Sequence, residues 1–91
     1  IEKIESRSEE FLRLVMSEEE IARLPDVARE DWVTRVWVAK ESAAKRAGTG
    51  LEGKPKHYAL QEINGEKLRI NEQWITTRRY GDYIIGWTVE S

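Results

Sequence analysis

The sequence predicts a single α+β domain, in which helices, including one long helix, pack on an antiparallel β-sheet. Apolar residues recur at three- and four-residue spacing in residues 8–47 and at two-residue spacing from residue 58 onward. The helices therefore precede the strands instead of alternating with them, as is typical of α+β folds. A chain of 91 residues is long enough for one hydrophobic core, so residues 1–91 are expected to form one domain.

Two short helices are predicted before residue 26. Ser8 and two glutamates precede an apolar cluster, and acidic residues favour the first turn of a helix. Ser17 and Glu20 have the spacing of a capping box, in which each side chain accepts a hydrogen bond from the other residue's backbone N–H. Pro25 is expected to end this second helix, because proline lacks the backbone N–H that a helix interior needs.

The third and longest helix is predicted from about residue 27 to residue 47. Gly48 follows it, and glycine is common directly after a helix because it readily adopts a positive φ. Lys40 falls on the apolar side, where a solvated lysine is not expected. The apolar stripe of this helix consists of Trp32, Val33, Val36, Trp37, Ala43, Ala44 and Ala47.

The second half of the chain predicts a meander of four strands at residues 58–63, 66–70, 73–79 and 83–89. Asn64-Gly65 is a strong hairpin signal and predicts a type I′ turn, and a second turn is predicted at residues 80–82. Trp74, Tyr83 and Trp87 could pack in the core or against another lobe, and the core is the expected place. The last strand places on one face Tyr83, Ile85, Trp87 and Val89.

Composition and charge exclude several classes of function. Fifteen Lys and Arg against seventeen Asp and Glu give a net charge of −2, which excludes a globally basic nucleic-acid binder. The chain has no cysteine and one histidine, His57, so any metal would be a hard cation held by carboxylates. No apolar run could span a membrane and no secretory signal is present, so a cytoplasmic location is expected.

Because the only methionine is Met16, the chain is expected to be a piece of a longer protein.

One segment of the long helix contains the residue pattern that points most clearly to a chemical function. Trp37, Glu41 and Lys45 stand at i, i+4 and i+8, which places them along one helix face. On spacing alone, Glu41 and Lys45 form a surface ion pair that stabilises the helix by roughly 0.2–0.5 kcal/mol. The glycine-rich turn at residues 48–50 is either an ordinary helix end or a place where the backbone approaches a ligand closely.

The same segment resembles the signature of the 4′-phosphopantetheinyl transferase superfamily. It reads W-x-x-K-E-x-x-x-K from Trp37 to Lys45, followed by G-T-G-L at residues 48–51. The similarity is to the C-terminal lobe of the surfactin-synthetase-type enzymes and of related domains in polyketide synthases. Residues 1–4 resemble the end of the family's G-[IV]-D-[IV]-E strand, and the S-x-E-E segment at Ser17 also matches. The resemblance is close from residue 1 to about residue 51.

The resemblance implies a reaction and a role for each matching residue. Such enzymes transfer the phosphopantetheine arm of coenzyme A to a serine of an acyl or peptidyl carrier protein, with Mg²⁺ as the metal. Glu41 corresponds to a helix carboxylate that binds the metal and serves as base, and Glu2 to a further metal ligand. Lys45 corresponds to a lysine on the coenzyme A phosphates, and Lys40 to one with either a phosphate or a structural contact. Trp37 corresponds to an aromatic residue that packs the helix on the sheet.

The chain also departs from the family pattern. The aspartate that the family uses as its first metal ligand would stand two residues before Glu2, and the N-terminal lobe of the larger enzymes is not part of this sequence. Ser42 replaces a common alanine. The chain is therefore expected to be the C-terminal lobe of a two-lobed enzyme and nearly inactive alone. A complementary lobe or self-association would complete the site.

Two other functions remain open. A non-catalytic module that docks carrier proteins would use the basic segment after the long helix, which contains Lys54, Lys56 and His57. A small nucleic-acid-binding domain would combine lysines with aromatic strand residues, but the acidic overall charge and the lack of a stacking motif on the strands disfavour it. Glu41→Ala distinguishes an enzyme from a docking module, because transfer would be lost while docking would survive.

Overall fold

The computed structural model describes residues 1–48 and 54–88, which form the predicted α+β fold. A 3₁₀ turn at Pro55–His57 separates the helices from most of the strands. The helices are α1 (Glu9–Val15), α2 (Glu18–Ala22) and α3 (Arg29–Arg46). The strands are β1 (Glu2–Lys3), β2 (Leu60–Asn64), β3 (Lys67–Ile70), β4 (Gln73–Tyr80) and β5 (Tyr83–Thr88).

The strands form one antiparallel sheet in the order β1-β5-β4-β3-β2. β1 lies at one edge, where Glu2 pairs with Ile84 and Lys3 pairs with Tyr83. The long helix α3 packs across β3, β4 and β5, as predicted, and the hydrophobic core lies between the helices and the sheet. The core side chains include Leu12, Val15, Met16, Val33, Val36, Ala39, Ala43, Leu60, Leu68, Ile70 and Ile75.

Local capping interactions begin the two short helices as predicted. The Ser8 hydroxyl accepts a hydrogen bond from the backbone N–H of Phe11 at 3.1 Å at the start of α1. The Ser17 hydroxyl accepts from the backbone N–H of Glu20 at 3.2 Å, and the Glu20 carboxylate accepts from that of Ser17 at 3.1 Å. These two bonds form the predicted capping box, and α2 ends before Pro25.

The long helix begins later than the sequence predicts. Ala28 adopts a left-handed conformation with φ of 51°, so α3 starts at Arg29 and leaves Val27 outside the helix. Nothing in the sequence marks this position, because alanine rarely adopts a positive φ. The other end agrees with the prediction, since Ala47 caps α3 and Gly48 follows it with φ of 82°.

The turn between β2 and β3 lies one residue later than predicted. Asn64 pairs with Lys67, so the two turn residues are Gly65 and Glu66. Gly65 has φ of 63°, whereas φ of Glu66 is not positive. A positive φ at the first turn residue alone is typical of a type II′ turn, so the prediction of a type I′ turn at Asn64 and Gly65 is wrong.

Packing across the strands explains this register. In the observed pairing Ile63 lies opposite Leu68, whereas the predicted turn would place Leu68 opposite the polar Gln61. The backbone carbonyl of Glu66 also accepts two hydrogen bonds from Thr77, one from its N–H and one from its hydroxyl, both 2.8 Å long. These long-range contacts hold Glu66 in the turn and decide the register against the local Asn-Gly signal.

The prediction that three aromatic residues of the sheet pack in the core is wrong. Trp74, Tyr83 and Trp87 are 40%, 46% and 38% exposed. Side chains alternate between the two faces of a strand, and it is Ile84 of β5 that is buried, so Tyr83 points away from the helices. We call the sheet face that carries these three residues the outer face. Val89, predicted to share it, lies outside the described residues.

A glycine of β5 allows the long helix to approach the sheet closely. A Cβ atom added at Gly86 would lie 2.6 Å from Cγ1 of Val38 and 3.4 Å from the hydroxyl oxygen of Ser42. The first distance is too short for any real contact between carbon atoms. Val38 and Ser42 stand on either side of Glu41 along α3, so this approach sets how far Glu41 stands from the sheet.

Candidate active site

The edge of the sheet and the long helix bring two glutamates together. Glu2 pairs with Ile84, and residues paired in an antiparallel sheet point to the same face. Because Ile84 is fully buried, Glu2 points to the helix side of the sheet, towards Glu41 of α3. The two glutamates line a cleft of about 120 Å³, which we call the carboxylate cleft. Its lining residues are Ile1, Glu2, Val38, Glu41, Ser42 and Lys45.

The surroundings in the carboxylate cleft raise the pKa of Glu41 above its ordinary value. Burial is the largest cause, because it disfavours the charged form of a carboxyl group. The negative charge of Glu2 and a hydrogen bond between the two carboxyls act in the same direction, while the positive charge of Lys45 opposes them. Glu41 therefore holds a proton more readily than a solvated glutamate does.

Lys45 lies one helical turn after Glu41, at the rim of the carboxylate cleft. Its side chain is exposed, and it lines the cleft together with both glutamates. An exposed ammonium at the mouth of a polar cleft can contact an anionic ligand that enters it. The structure thus brings together Glu2, Glu41 and Lys45, three of the four residues for which the sequence analysis considers a catalytic, metal-binding or phosphate-binding role.

The cleft offers part of the ligand set of a hard divalent cation. Carboxylate oxygens are the protein ligands that Mg²⁺ prefers, and Glu2 and Glu41 supply two such groups side by side. Among residues 1–48 and 54–88, no three or more His, Cys, Asp or Glu side chains come together as a metal site. A cation bound here would need further ligands, and Mg²⁺ commonly takes these from water and from substrate phosphates.

The fourth residue, Lys40, does not line the carboxylate cleft. Its side chain is fully buried, and Nζ lies 2.7 Å from Oε2 of Glu20, 2.7 Å from the carbonyl oxygen of Val15 and 3.1 Å from that of Pro55. Burial lowers the pKa of Lys40, and the hydrogen bond with Glu20 and its charge oppose this effect. Of the two roles that the sequence leaves open, this geometry favours the structural contact over the phosphate contact.

A sequence model of the 4′-phosphopantetheinyl transferase superfamily matches residues 1–88. The chain belongs to this superfamily. The superfamily is one of transferases with coenzyme A as a substrate. No curated protein and no solved structure matches the chain significantly.

The transferase domain contains a buried carboxylate whose second role the sequence analysis missed. Glu20 is predicted only as part of a capping box, yet its Oε2 also accepts the backbone N–H of Leu60 at 2.9 Å and the ammonium of Lys40. The one available signal is the place of Lys40 on the apolar side of α3, because a buried lysine requires a buried acceptor. The sequence does not say which acid supplies it.

A second ion network, also missed, holds the start of α3 on the sheet of the transferase domain. The Arg35 guanidinium donates to Asp31 one turn earlier, and it also donates to the Glu66 carboxylate and the Thr77 hydroxyl, both at 3.1 Å. Arg79 of β4 donates to Asp31 at 3.3 Å. The i, i+4 spacing of Asp31 and Arg35 could have indicated one pair, whereas the contacts to the sheet leave no local signal.

The remaining predicted residues of the transferase signature lie away from the cleft or outside the described residues. The Trp37 ring packs edge-on against Phe11 of α1, with ring centres 5.6 Å apart, so the contact that the structure gives for this aromatic residue is to another helix. Thr49, Gly50 and Leu51 of the G-T-G-L segment lie outside the described residues.

The basic segment at residues 54–57 is largely exposed. Lys54, Lys56 and His57 are exposed to solvent on and beside the 3₁₀ turn. None of the three lines the carboxylate cleft. In the part of the chain that the structure describes, no helix has the length and apolar character needed to cross a membrane.

Proposed function

We propose that this chain supplies the C-terminal half of an active site that transfers 4′-phosphopantetheine from coenzyme A to a carrier-protein serine. The reaction depends on Mg²⁺, and the acceptor is an acyl or peptidyl carrier protein. The observation that carries the proposal is the carboxylate cleft, where Glu2 and Glu41 face each other beside Lys45. Membership of the superfamily supports the class of reaction, and the cleft contains groups that this reaction needs.

The reaction requires an acceptor for one proton, and we assign this role to Glu41. The serine oxygen attacks the phosphorus that bears the pantetheine arm, and the bond from this phosphorus to the bridging oxygen breaks. Adenosine 3′,5′-bisphosphate leaves with the electrons of that bond, while the serine proton passes to Glu41 directly or through one water. The carboxylate of Glu41 lines the cleft, where it can accept this proton.

Glu2 and Glu41 are the residues that would hold the metal. Bound there, Mg²⁺ would neutralise charge on the coenzyme A pyrophosphate as the leaving group departs. The two carboxylates provide hard oxygen ligands, and their mutual repulsion, which contributes to the raised pKa of Glu41, would be relieved by a bound cation. This relief gives the cleft a reason to bind a cation that an isolated surface carboxylate lacks.

Lys45 is assigned to a phosphate of coenzyme A. It is exposed at the rim of the cleft, one turn from Glu41, so an ammonium there can bind a phosphate oxygen as a compact point charge. Lys40 is not given this role, because its ammonium is buried and bonded to three oxygens of the chain itself.

A complementary lobe or a second copy of the chain completes the site in this proposal. Two carboxylates and one lysine are too few groups to hold both a cation and a pyrophosphate, so further ligands must come from elsewhere.

Intact-mass spectrometry of a carrier protein tests the proposal. The apo carrier is incubated with the chain, coenzyme A and Mg²⁺, with and without a complementary lobe. We expect the carrier to gain one phosphopantetheine in the mixture that completes the site, and to gain nothing when Mg²⁺ is chelated or when Glu41→Gln replaces the wild type. A folded chain that binds the carrier without coenzyme A or Mg²⁺ and transfers nothing would support a docking module instead.

A further inference from the structure

The long helix directs two neighbouring charged residues to different sides. Lys40 is fully buried, whereas Glu41 lines the carboxylate cleft. Successive residues of an α-helix are rotated by about 100° around the axis, so one turn can serve the interior and the cleft together. A rotation or shift of this turn moves both side chains, and whatever fixes Lys40 therefore also fixes Glu41.

The ammonium of Lys40 uses all of its hydrogen-bonding capacity within the chain. A lysine ammonium has three N–H donors, and Nζ has oxygens of Glu20, Val15 and Pro55 within 3.1 Å. The side chain has no exposed surface. A phosphate could bind this ammonium only if it displaced these oxygens and left the buried Glu20 carboxylate without its counter-charge.

Both oxygens of the Glu20 carboxylate also have hydrogen-bond partners within the chain. Oε1 of Glu20 accepts the backbone N–H of Ser17 at 3.1 Å, and Oε2 accepts that of Leu60 at 2.9 Å as well as the Lys40 ammonium. The residue is only 3% exposed. A buried pair whose hydrogen bonds are all made is directional and holds its partners in one geometry.

The pair also connects segments that are far apart in the chain. Val15 ends α1, Ser17 caps α2, Pro55 begins the 3₁₀ turn and Leu60 begins β2, and all of them meet Lys40 or Glu20. The apolar packing of α3 on the sheet is not directional, and the directional contacts of Arg35 lie more than one turn before Lys40. The ionic contacts at Lys40 add directional contacts at the helical turn that carries Glu41.

We propose that Glu20 and Lys40 form a buried latch that positions Glu41 in the carboxylate cleft, and that Lys40 is a positioning residue and not a phosphate ligand. The catalytic part of this inference rests on the proposed function. A misplacement of about 1 Å at a reacting group can cost on the order of 100-fold in rate. Loosening the latch should therefore lower kcat while leaving the KM for coenzyme A unchanged.

Steady-state kinetics and thermal unfolding of latch variants test this inference in the mixture that supports transfer. Lys40→Met leaves Glu20 as an unpaired buried charge, and we expect a lower Tm, a kcat reduced by on the order of 100-fold and an unchanged KM for coenzyme A. Glu20→Gln should also lower kcat, although Glu20 does not line the cleft. The double variant Lys40→Met/Glu20→Gln buries no unpaired charge, so its Tm should recover relative to Lys40→Met, whereas its kcat should stay low because the positioning contacts are still missing.

Lys45→Met is the matched control, because it removes an exposed lysine from the same helix. We expect it to raise the KM for coenzyme A while Tm stays unchanged. The latch is rejected if Lys40→Met shows the same pattern as Lys45→Met, or if the double variant regains the kcat of the wild type. Should Lys40→Met fail to fold, Glu20→Gln and the double variant still allow the comparison.

Amide hydrogen exchange distinguishes a failed latch from a failed functional proposal. Glu20→Gln should speed exchange at residues 41–45 of α3, and Glu19→Gln, at the exposed neighbouring position, should not. Faster exchange in a protein that transfers nothing would support the latch and reject the proposed function. Unchanged exchange at residues 41–45 in folded Glu20→Gln would reject the latch, even in an active enzyme.

Discussion

Glu20 and Glu41 are two carboxylates of one small domain with opposite surroundings. The Glu20 carboxylate meets the Lys40 ammonium and two backbone N–H groups, so both of its oxygens have partners within the chain. Glu41 meets the carboxyl of Glu2, which together with burial raises its pKa. A carboxylate whose hydrogen-bond partners all lie within the chain stabilises the fold. A carboxylate next to a like charge can instead bind a proton or a cation, as is typical of reaction sites.

The comparison predicts different losses at the two positions. Glu41 can be altered with little effect on folding, because its neighbours do not depend on its charge. A change at Glu20 is expected to destabilise the fold, because Lys40 is buried with it.

Removing the charge of Glu41 should have the largest effect, and the effect should be on activity. Glu41→Gln keeps the size of the side chain but removes the proposed base and metal ligand. A general base typically contributes about 10²–10⁴-fold, so we expect kcat to fall by at least about 100-fold. Tm should not fall, because the repulsion between Glu41 and Glu2 is also removed. Initial rates of carrier modification and thermal unfolding measure the two quantities.

The control for that variant is Glu10→Gln, which removes an exposed carboxylate of α1 that does not line the carboxylate cleft. It should leave both kcat and Tm unchanged. A Glu41→Gln variant with the same kcat as this control would mean that neither the base nor the metal depends on Glu41.

Removing the carboxylate of the latch should have the largest effect on stability. Glu20→Ala leaves the Lys40 ammonium buried without a counter-charge, and breaking a buried pair in this way costs about 3–5 kcal/mol. Glu19→Ala removes an exposed carboxylate from the same helix and should change the free energy of unfolding by less than about 0.5 kcal/mol. Urea unfolding measures both, and similar losses in the two variants would contradict the structural role of Glu20.

A side chain at Gly86 should destabilise the domain less, and should also disturb the cleft. Gly86→Ala places Cβ 2.6 Å from Cγ1 of Val38, so α3 must move away from β5. We expect a loss of about 1–3 kcal/mol, typical of an overpacked interior, and a lower transfer rate because Glu41 lies on the displaced turn. Adding Val38→Ala removes the clashing methyl group and should restore part of the lost stability and part of the lost transfer rate. If the double variant recovers neither, the close approach of Val38 to Gly86 does not determine the position of α3.

The pH dependence of stability should show the smallest effect. Folding raises the pKa of Glu41, so the folded protein binds this proton more tightly than the unfolded chain does, and Glu41 lowers stability above its folded pKa. This loss disappears as the pH falls through the folded pKa towards the unfolded value of about 4.3. In metal-free buffer, Glu41→Gln should therefore be more stable than the wild type at neutral pH and equally stable near pH 4. A stability difference that is independent of pH would contradict the raised pKa.

Local signals in the sequence predict the helix ends better than the strand pairing. The capping box of Ser17 and Glu20 and the helix end at Gly48 form as predicted, because each depends on residues within one helical turn. The hairpin prediction is wrong by one residue, because the register depends on Ile63 meeting Leu68 and not on the turn alone.

The face of the sheet that the helices cover could not be predicted from alternation. Alternation shows that Tyr83 and Trp87 share one face of β5, but it does not say which face meets α3. Gly86 is the clue on the opposite face, because a glycine within a strand often marks the close approach of another backbone. Aromatic character favours burial only on average, and here Trp87 lies on the outer face.

The candidate site could be predicted in part. The family resemblance singles out Glu2, Glu41 and Lys45, and the structure brings these three residues to one cleft. The partner of Lys40 could not be predicted, because Glu20 lies on a different helix and its capping role already accounts for its place in the sequence.

The most direct test of the account is the pKa of Glu41, measured by NMR of its carboxyl carbon in the metal-free protein and again with Mg²⁺. We expect a pKa above that of an ordinary glutamate, and a lower pKa in Glu2→Gln because a like charge is removed. The pKa should also fall when Mg²⁺ is added, because a bound cation favours the ionised carboxylate. A Glu41 that titrates as an ordinary glutamate, and responds neither to Glu2→Gln nor to Mg²⁺, would contradict the account.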